Sequence, residues 1–124
     1  MNAALNHIKR ILEENKIKVI LEDDSEQLNP TAFKKRAILF IESIETDQQA
    51  THFADDVSIR AEIQHDNASE ALKLVETIRA QATSNLSTGV VGVVSTGLSI
   101  GENPYLEKVK SYKMNFKIKT ITTR

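Results

Sequence analysis

The strongest constraint on the fold is a change of hydrophobic period within residues 57–82. Apolar and polar side chains alternate over residues 57–64, which is the period of a half-buried strand. Beyond His65 and Asp66 the apolar positions recur at three- and four-residue spacings, which is the period of an amphipathic helix. These helical positions are Ala68, Ala71, Leu72, Val75, Ile78 and Ala82. The segment therefore predicts a strand followed directly by a helix, around which the rest of the chain packs.

The residues before this helix indicate where it starts. Asn67 precedes the first apolar position, and Glu70 follows three residues later, a spacing similar to that of a capping box. Asp66 is another residue type that is favoured at helix starts.

The same two periods predict the other regular elements. A helical stripe covers residues 4–12, and strand patterns cover residues 16–22, 36–44, 90–94 and the chain from residue 110 onward. The segment 36–44 has apolar side chains on both faces, so it is predicted to be a central strand. The last strand alternates most clearly, with an apolar face and a basic face.

Loops are predicted where polar residues, glycine or proline interrupt these patterns. The acidic run 22–26 leads to Asn29–Pro30, which disfavours regular structure. Residues 46–56 are polar apart from Phe53 and are predicted to form a long loop between two strands that pair as a hairpin. Gly92 within a strand indicates a β-bulge or a close approach of another backbone, and residues 101–104 are predicted to form a turn.

Together these elements predict an α+β fold: a mainly antiparallel sheet with both helices packed on one face. The length of 124 residues predicts a single domain over residues 1–124. The predicted core includes Leu5, Ile8, Leu39, Ile59, Ile63, Leu72, Val75, Ile78, Met114 and Phe116.

Composition excludes several classes of protein. Sixteen basic and seventeen acidic side chains give a net charge of −1, so the overall charge does not favour nucleic-acid or membrane binding. The absence of cysteine excludes disulfides, thiol catalysis and thiolate metal sites. The first 16 residues lack the apolar run of a secretory signal, so the chain is expected to be made in the cytoplasm and to have no membrane partner.

A serine motif in the glycine-rich region was weighed as a catalytic site. Residues 97–101 match the G-x-S-x-G pattern of a nucleophile elbow, in which a histidine later in the chain activates the serine. All three histidines precede Ser99, however: His7, His52 and His65. Since Pro104 follows in place of a helix signal, a flexible glycine–serine loop is predicted. Ser99, His52 and His65 are therefore not expected to form a catalytic unit.

Two of these histidines and two nearby carboxylates are candidates for a metal site. His52, Asp55, Asp56 and His65 carry suitable ligand atoms, but their spacing defines no coordination geometry. They are interpreted as solvated loop residues, and no metal, cofactor or catalytic residue is predicted. The lysines of the last strand either contact phosphates or, as is common, occupy a solvated strand face.

The order of these patterns resembles that of phage tail terminator (tail completion) proteins. The resemblance rests on the N-terminal helix, the strand before the acidic run, the strand VSIRAEIQ, the helix ASEALKLVETIRAQA and the final Y-x-M-x-F-x-I strand. It implies a mixed α/β subunit without catalytic residues. It also implies that copies assemble into a ring, usually a hexamer, which caps the tail tube of a virion, stops its growth and provides the surface for head–tail joining.

Under this resemblance the expected partners are further copies of the chain, a tail tube protein, a head–tail connector protein, and DNA passing through the lumen. The residues expected at subunit contacts or in the lumen are Asp23, Asp24, His52, Phe53, Asp55, Asp56, Lys113, Lys117 and Lys119. A neck, connector or tail tube subunit, a monomeric binding module and a small hydrolase are the alternatives.

Overall fold

The computed structural model describes residues 2–21, 36–48, 52–102 and 109–123. Within these ranges the chain forms two helices and five strands. In chain order they are α1 (Ala3–Glu14), β1 (Lys18–Leu21), β2 (Arg36–Gln48), β3 (His52–His65), α2 (Ala68–Ser84), β4 (Val90–Glu102) and β5 (Lys110–Thr123).

The five strands form one sheet in the order β1-β2-β3-β5-β4. The short strand β1 is parallel to β2, and every other neighbouring pair is antiparallel. β2 and β5 therefore run in one direction, and β3 and β4 in the other. The helix α2 links β3 to β4, which lie on either side of β5. The predicted α+β class and the mainly antiparallel sheet are confirmed.

Both helices pack on the same face of the sheet, here called the inner face. Strand alternation places Ile59 and Ile63 of β3 beside Phe116 and Tyr112 of β5 on this face, and the side chains of α1 and α2 cover them. Nine of the ten predicted core residues are buried: Leu5, Ile8, Leu39, Ile59, Ile63, Val75, Ile78, Met114 and Phe116.

The prediction that Leu72 belongs to the core is wrong. Its side chain is 40% exposed, whereas Ala71, Val75, Ile78 and Ala82 form the buried face of α2. Successive residues of a helix differ by about 100° in direction, so Leu72 lies at the side of the stripe that Ala71 occupies. The spacing of apolar residues in the sequence is compatible with burial of either Ala71 or Leu72. The way in which α2 packs on the sheet decides that Ala71 is the buried one.

The helix α2 begins at Asn67, whose side-chain oxygen accepts a hydrogen bond from the backbone N–H of Glu70 at 3.0 Å. The backbone N–H of Asn67 donates to Nδ1 of His65 at 2.9 Å. In a capping box the side chain of Glu70 would accept the hydrogen bond from the backbone N–H of Asn67. Here His65 accepts it instead. Half of the predicted capping box is present, and Asn67, not Asp66, is the N-cap.

The helix α1 ends in a turn that places a lysine in the left-handed region. Lys16 has φ 61°, its N–H donates to the carbonyl of Glu13, and the N–H of Ile17 donates to the carbonyl of Leu12. These two bonds define a Schellman motif, in which glycine is the preferred residue at the left-handed position. Ile17 and Leu12 are both buried, which is the apolar contact that accompanies this motif.

Replacing Lys16 by glycine is expected to raise the free energy of unfolding by about 1 kcal/mol, because a side chain in the left-handed region is strained and glycine is not. Chemical denaturation at equilibrium measures the change. The matched control is Lys18→Gly, two residues later in β1, which is expected to destabilise the chain because glycine weakens a strand. An unchanged or lower stability for Lys16→Gly contradicts the prediction.

Two predicted loops are strands in the structure. Most of residues 46–56 extends the β2–β3 hairpin, with Thr46 opposite Asp55 and Gln48 opposite Phe53. Residues 97–101, predicted to be a flexible glycine–serine loop, lie inside β4 and pair with β5. Cross-strand pairing overrides weak strand propensity in both cases. The predicted bulge near Gly92 is confirmed by a shift of register between Val90 and Gly92.

β2 has a neighbouring strand on both sides over only part of its length. β1 pairs with residues 36–39 of β2, and Ile38 is buried there. Beyond that point the side chains of residues 41–47 are exposed, including Ile41 at 37% and Ile44 at 49%. The prediction of a covered central strand is therefore wrong for this second half of β2. The acidic run with Asp23 and Asp24, and residues 103–104 of the predicted turn at 101–104, lie outside the described residues.

Candidate functional site

The face of the sheet turned away from the helices, here called the outer face, carries most of the predicted interface residues. On β5 it presents Lys113, Asn115, Lys117 and Lys119, which alternate with the buried side chains of the inner face. Lys117 and Lys119 are exposed, and Lys113 is partly buried. Because alternate residues of a strand share one face, these lysines form a basic column along β5.

The neighbouring edge strand β4 adds almost no charge to this face. Opposite the lysines of β5 it places Gly92, Val94 and Ser99, and its only charged residue is Glu102 at its end. A Cβ atom added at Gly92 would meet no atom within 4 Å, so the surface above Gly92 is open. The basic column therefore borders a flat, uncharged strip.

Acidic side chains lie across the sheet on the β2–β3 hairpin. Lys119 is opposite Asp56 of β3, and Asp56 is opposite Glu45 of β2. The register thus defines a row of four residues across the outer face: Glu45, Asp56, Lys119 and Gly92. Opposite charges attract in such rows, and two carboxylates directly opposite each other repel. Glu45 is the exposed carboxylate at the end of this row, away from the lysine.

A cluster around Arg60 occupies the middle of the outer face. Its guanidinium lies over the ring of Phe40, 4.3 Å from the ring centroid, a cation–π contact. Nη1 of Arg60 is 3.6 Å from Oε2 of Glu42, and Nε is 3.0 Å from Oε1 of Glu62. The buried Nε makes no well-directed hydrogen bond, so its contact with Glu62 is one of charge rather than of donor geometry.

Sequence reasoning did not select Arg60, Phe40, Glu42 or Glu62. The signal that could have found them is cross-strand register: Phe40 and Arg60 are directly opposite in the hairpin. That register depends on a bulge between Ile41 and Ser43, which no residue type in the segment marks.

The other predicted interface residues do not all share this face. Asp55 lies on the inner side of the hairpin, where its Oδ1 accepts a hydrogen bond from the hydroxyl of Thr46 at 2.7 Å. Phe53 lies opposite Gln48 and is partly buried. His52 begins β3 in register with Thr123. Of the predicted set, Asp56 and Lys119 are brought together directly.

The serine and the histidines of the rejected catalytic motif lie apart. Ser99 is on the outer face opposite Lys113, whereas His65 is buried at the end of β3 on the inner side. His7 is buried within α1. In the described part of the chain, no three His, Cys, Asp or Glu side chains are grouped so that they could hold a metal ion.

His7 joins α1 to the segment that follows α2. Its Nε2 is 2.8 Å from the carbonyl oxygen of Ala82, and its Nδ1 is 2.8 Å from the hydroxyl of Ser87. A carbonyl only accepts, so Nε2 carries the proton and the Ser87 hydroxyl donates to Nδ1. The same hydroxyl accepts a hydrogen bond from Nε of Arg10 at 3.1 Å, and Arg10 also donates to the carbonyl of Asn85.

Burial lowers the pKa of His7, because the imidazolium form loses its hydration. The nearby Arg10 guanidinium lowers the pKa further, while the bond to Ala82 and the charge of Glu14 act in the opposite direction. His7 is therefore neutral in the folded chain at pH 7. It acts as a structural link between α1 and the segment from Ala82 to Ser87.

In comparisons with known proteins, no protein-family model and no curated protein matches the chain. Among the described residues there is no helix with the length and apolar character needed to cross a membrane.

Proposed function

We propose that the chain is a structural subunit of phage or prophage tail assembly, of the tail terminator type. Its copies form a ring on the end of the tail tube, stop growth of the tube and offer a surface to the head–tail connector protein. The observation that carries the proposal is the one-sided sheet: helices cover the inner face, whereas the outer face exposes a basic column beside an uncharged edge strand.

The arrangement of elements along the chain also supports this function. The N-terminal helix, the short strand before the acidic run, the hairpin, the helix α2 and the final alternating strand follow in the order on which the resemblance rests. A sheet with one free face is a surface that a neighbouring subunit or a passing polymer contacts without rearrangement of the core.

The lysines of β5 have a role in this proposal. In a ring whose outer sheet faces are turned to the lumen, Lys113, Lys117 and Lys119 lie along the path of DNA. Lysine contacts with phosphates carry no sequence information and are individually weak in physiological salt. Such a column attracts DNA without holding it at one position, as passage through a tail requires.

The proposal is tested by incubating the purified protein with tail tubes assembled from a tail tube protein and imaging the tube ends by electron microscopy. The expected result is extra density at one end of each tube and an arrest of elongation when further tube protein is added. Tubes incubated without the protein serve as the control and continue to grow. Continued elongation with no density at the tips contradicts the terminator role.

A further inference from the structure

Before Glu102, the outer edge of β4 lacks the charged residues and prolines that often keep sheet edges from pairing, although its register with β5 shifts at Val90/Gly92 and at Ser95/Gly97. In the part of the chain that the structure describes, no strand lies beyond β4. The 13 residues of β4 contain no proline, no lysine and no charge before Glu102, although exposed edges are normally blunted by such residues. Val91 is 49% exposed and Val94 is 61% exposed. This edge therefore offers both backbone hydrogen-bonding groups and apolar side chains to a further strand.

A second open edge lies on the opposite side of the sheet, along residues 41–48 of β2. β1 pairs with β2 only through residues 36–39, and no described strand lies beside residues 41–48 on the side away from β3. The exposed apolar side chains Ile41 and Ile44 lie on this part of β2. Among the described residues, the sheet thus has two edges on which no further strand lies, one at each side.

Parts of the two edges lie at the same level of the sheet, and their strands run in opposite directions, as antiparallel pairing requires. The register places Glu45, Asp56, Lys119 and Gly92 in one row, so the first half of β4 is level with the second half of β2. Because β2 and β4 run in opposite directions, a copy rotated about an axis along the strands brings its β2 antiparallel to β4. The sheet then continues from one copy to the next with the same alternation.

The charges along this row are complementary between copies. With neighbouring strands about 4.8 Å apart, residue 119 of one copy lies about 10 Å from residue 45 of the next, with Gly92 between them. Gly92 has no side chain, so the long side chain of Lys119 reaches across it. Glu45, which faces only the like-charged Asp56 within its own hairpin, gains a cation from the neighbouring copy.

We infer that the first half of β4 in one copy pairs antiparallel with residues 41–48 of β2 in a second copy, and that Lys119 meets Glu45 of that copy across Gly92. The occupant of the β4 edge is therefore another copy of this chain. The contact joins unlike surfaces, so it closes into a ring when the rotation between copies closes. This inference supplies the subunit contact of the proposed ring and rests on that proposal.

Engineered cysteines test the contact directly, since the chain has no cysteine of its own. In a Gly92→Cys, Glu45→Cys double variant the two residues are adjacent between copies. Within one copy they are three strand spacings apart, about 14 Å, which no disulfide spans. Mild oxidation, both free in solution and on tail tubes, is expected to give a ladder of covalent oligomers on non-reducing gels. The largest closed species gives the ring size.

The matched control is the Gly101→Cys, Glu45→Cys double variant. Gly101 lies on the same edge and has the same open surroundings as Gly92, but it is opposite Ser111, far along β5 from Lys119. Equal linking of this control overturns the inference. Dimers from the Gly92→Cys single variant, in excess of those from Gly101→Cys alone, indicate β4 pairing with β4 of a second copy and also overturn it.

A charge exchange provides a second readout. Lys119→Glu and Glu45→Lys are each expected to weaken assembly, measured as mass by analytical ultracentrifugation or as density on tube ends. An equal mixture of the two variants is expected to restore it, because each contact in an alternating ring again joins unlike charges. Lys73→Glu, which makes the same change of charge at an exposed position of α2, is the control. No effect of the single variants, or no restoration on mixing, contradicts the contact.

These experiments separate the contact from the terminator role. Covalent ladders from a protein that leaves tail tubes growing support the contact and contradict the proposed function. Capped tubes on which the Gly92→Cys, Glu45→Cys variant forms no links support the function and overturn the contact.

Discussion

Replacing Ile78 by alanine is expected to lower the free energy of unfolding by about 2–5 kcal/mol. Ile78 is completely buried, and with Val75 it lies in the middle of the stripe of α2 that covers the inner face of the sheet. Truncation removes three buried carbon atoms and leaves a cavity between the helix and the sheet, which the surrounding side chains cannot fill completely. Equilibrium denaturation with two probes, circular dichroism and tyrosine fluorescence, measures the loss.

Leu72→Ala on the same helix is the matched control, because it removes the same number of carbon atoms from an exposed position. Its effect is expected to be below about 1 kcal/mol. Equal losses for the two variants would show that the buried face of α2 is not the one described. A loss below about 0.5 kcal/mol for Ile78→Ala, the scale of surface substitutions, would show that α2 does not pack on the sheet.

The second large effect is expected at His7, and it depends on pH. His7→Ala should lower the free energy of unfolding by at least about 2 kcal/mol at pH 7.5, because it leaves a cavity and removes the donor to the buried carbonyl of Ala82. The variant should also change the pH dependence of stability, which separates the role of the imidazole from that of packing alone.

The direction of that dependence follows from the lowered pKa of His7. The unfolded chain, with an ordinary histidine pKa of 6.5, binds a proton at a higher pH than the folded chain does. The contribution of His7 is therefore complete above pH 6.5 and is lost as the pH falls below it, by at most about 1.4 kcal/mol per pH unit. Protonation would also place an imidazolium beside the guanidinium of Arg10.

Denaturation series from pH 7.5 to pH 5 compare the native chain with two variants. His7→Ala should lack this part of the slope. Ser87→Ala keeps the imidazole and should retain the slope, while losing about 1 kcal/mol for the hydroxyl that donates to Nδ1. A native chain and a His7→Ala variant with parallel pH profiles would contradict the account of His7 as a buried neutral link.

The elements themselves follow from local pattern. The change of period at His65 predicts both β3 and α2, and the alternation after Lys110 predicts β5, because a strand and a helix bury apolar residues at periods that differ by almost twofold. The α+β class follows from the same patterns. So do nine of the ten predicted core residues, since each lies on an apolar face of its element.

The length of the β2–β3 hairpin could not be predicted from local pattern in the same way. Residues 46–56 look like a loop because their side chains are polar, yet the backbone bonds to β5 continue through Asp55 and Asp56 and require no apolar side chain. The same bonds hold Gly97 and Gly101 in a strand. Pairing with a neighbour that is distant in the sequence decides these segments, and local propensity does not.

The candidate site depended most on the tertiary structure. The basic face of β5 follows from local pattern, because lysines alternate there with apolar residues. The surroundings of Lys119 depend on the order of the strands and on the bulges at Gly92 and Ser43, which set the register of the sheet. A shift of one residue moves every side chain to the other face, so the partners across strands depend on pairing over the whole sheet and not on spacing along the chain.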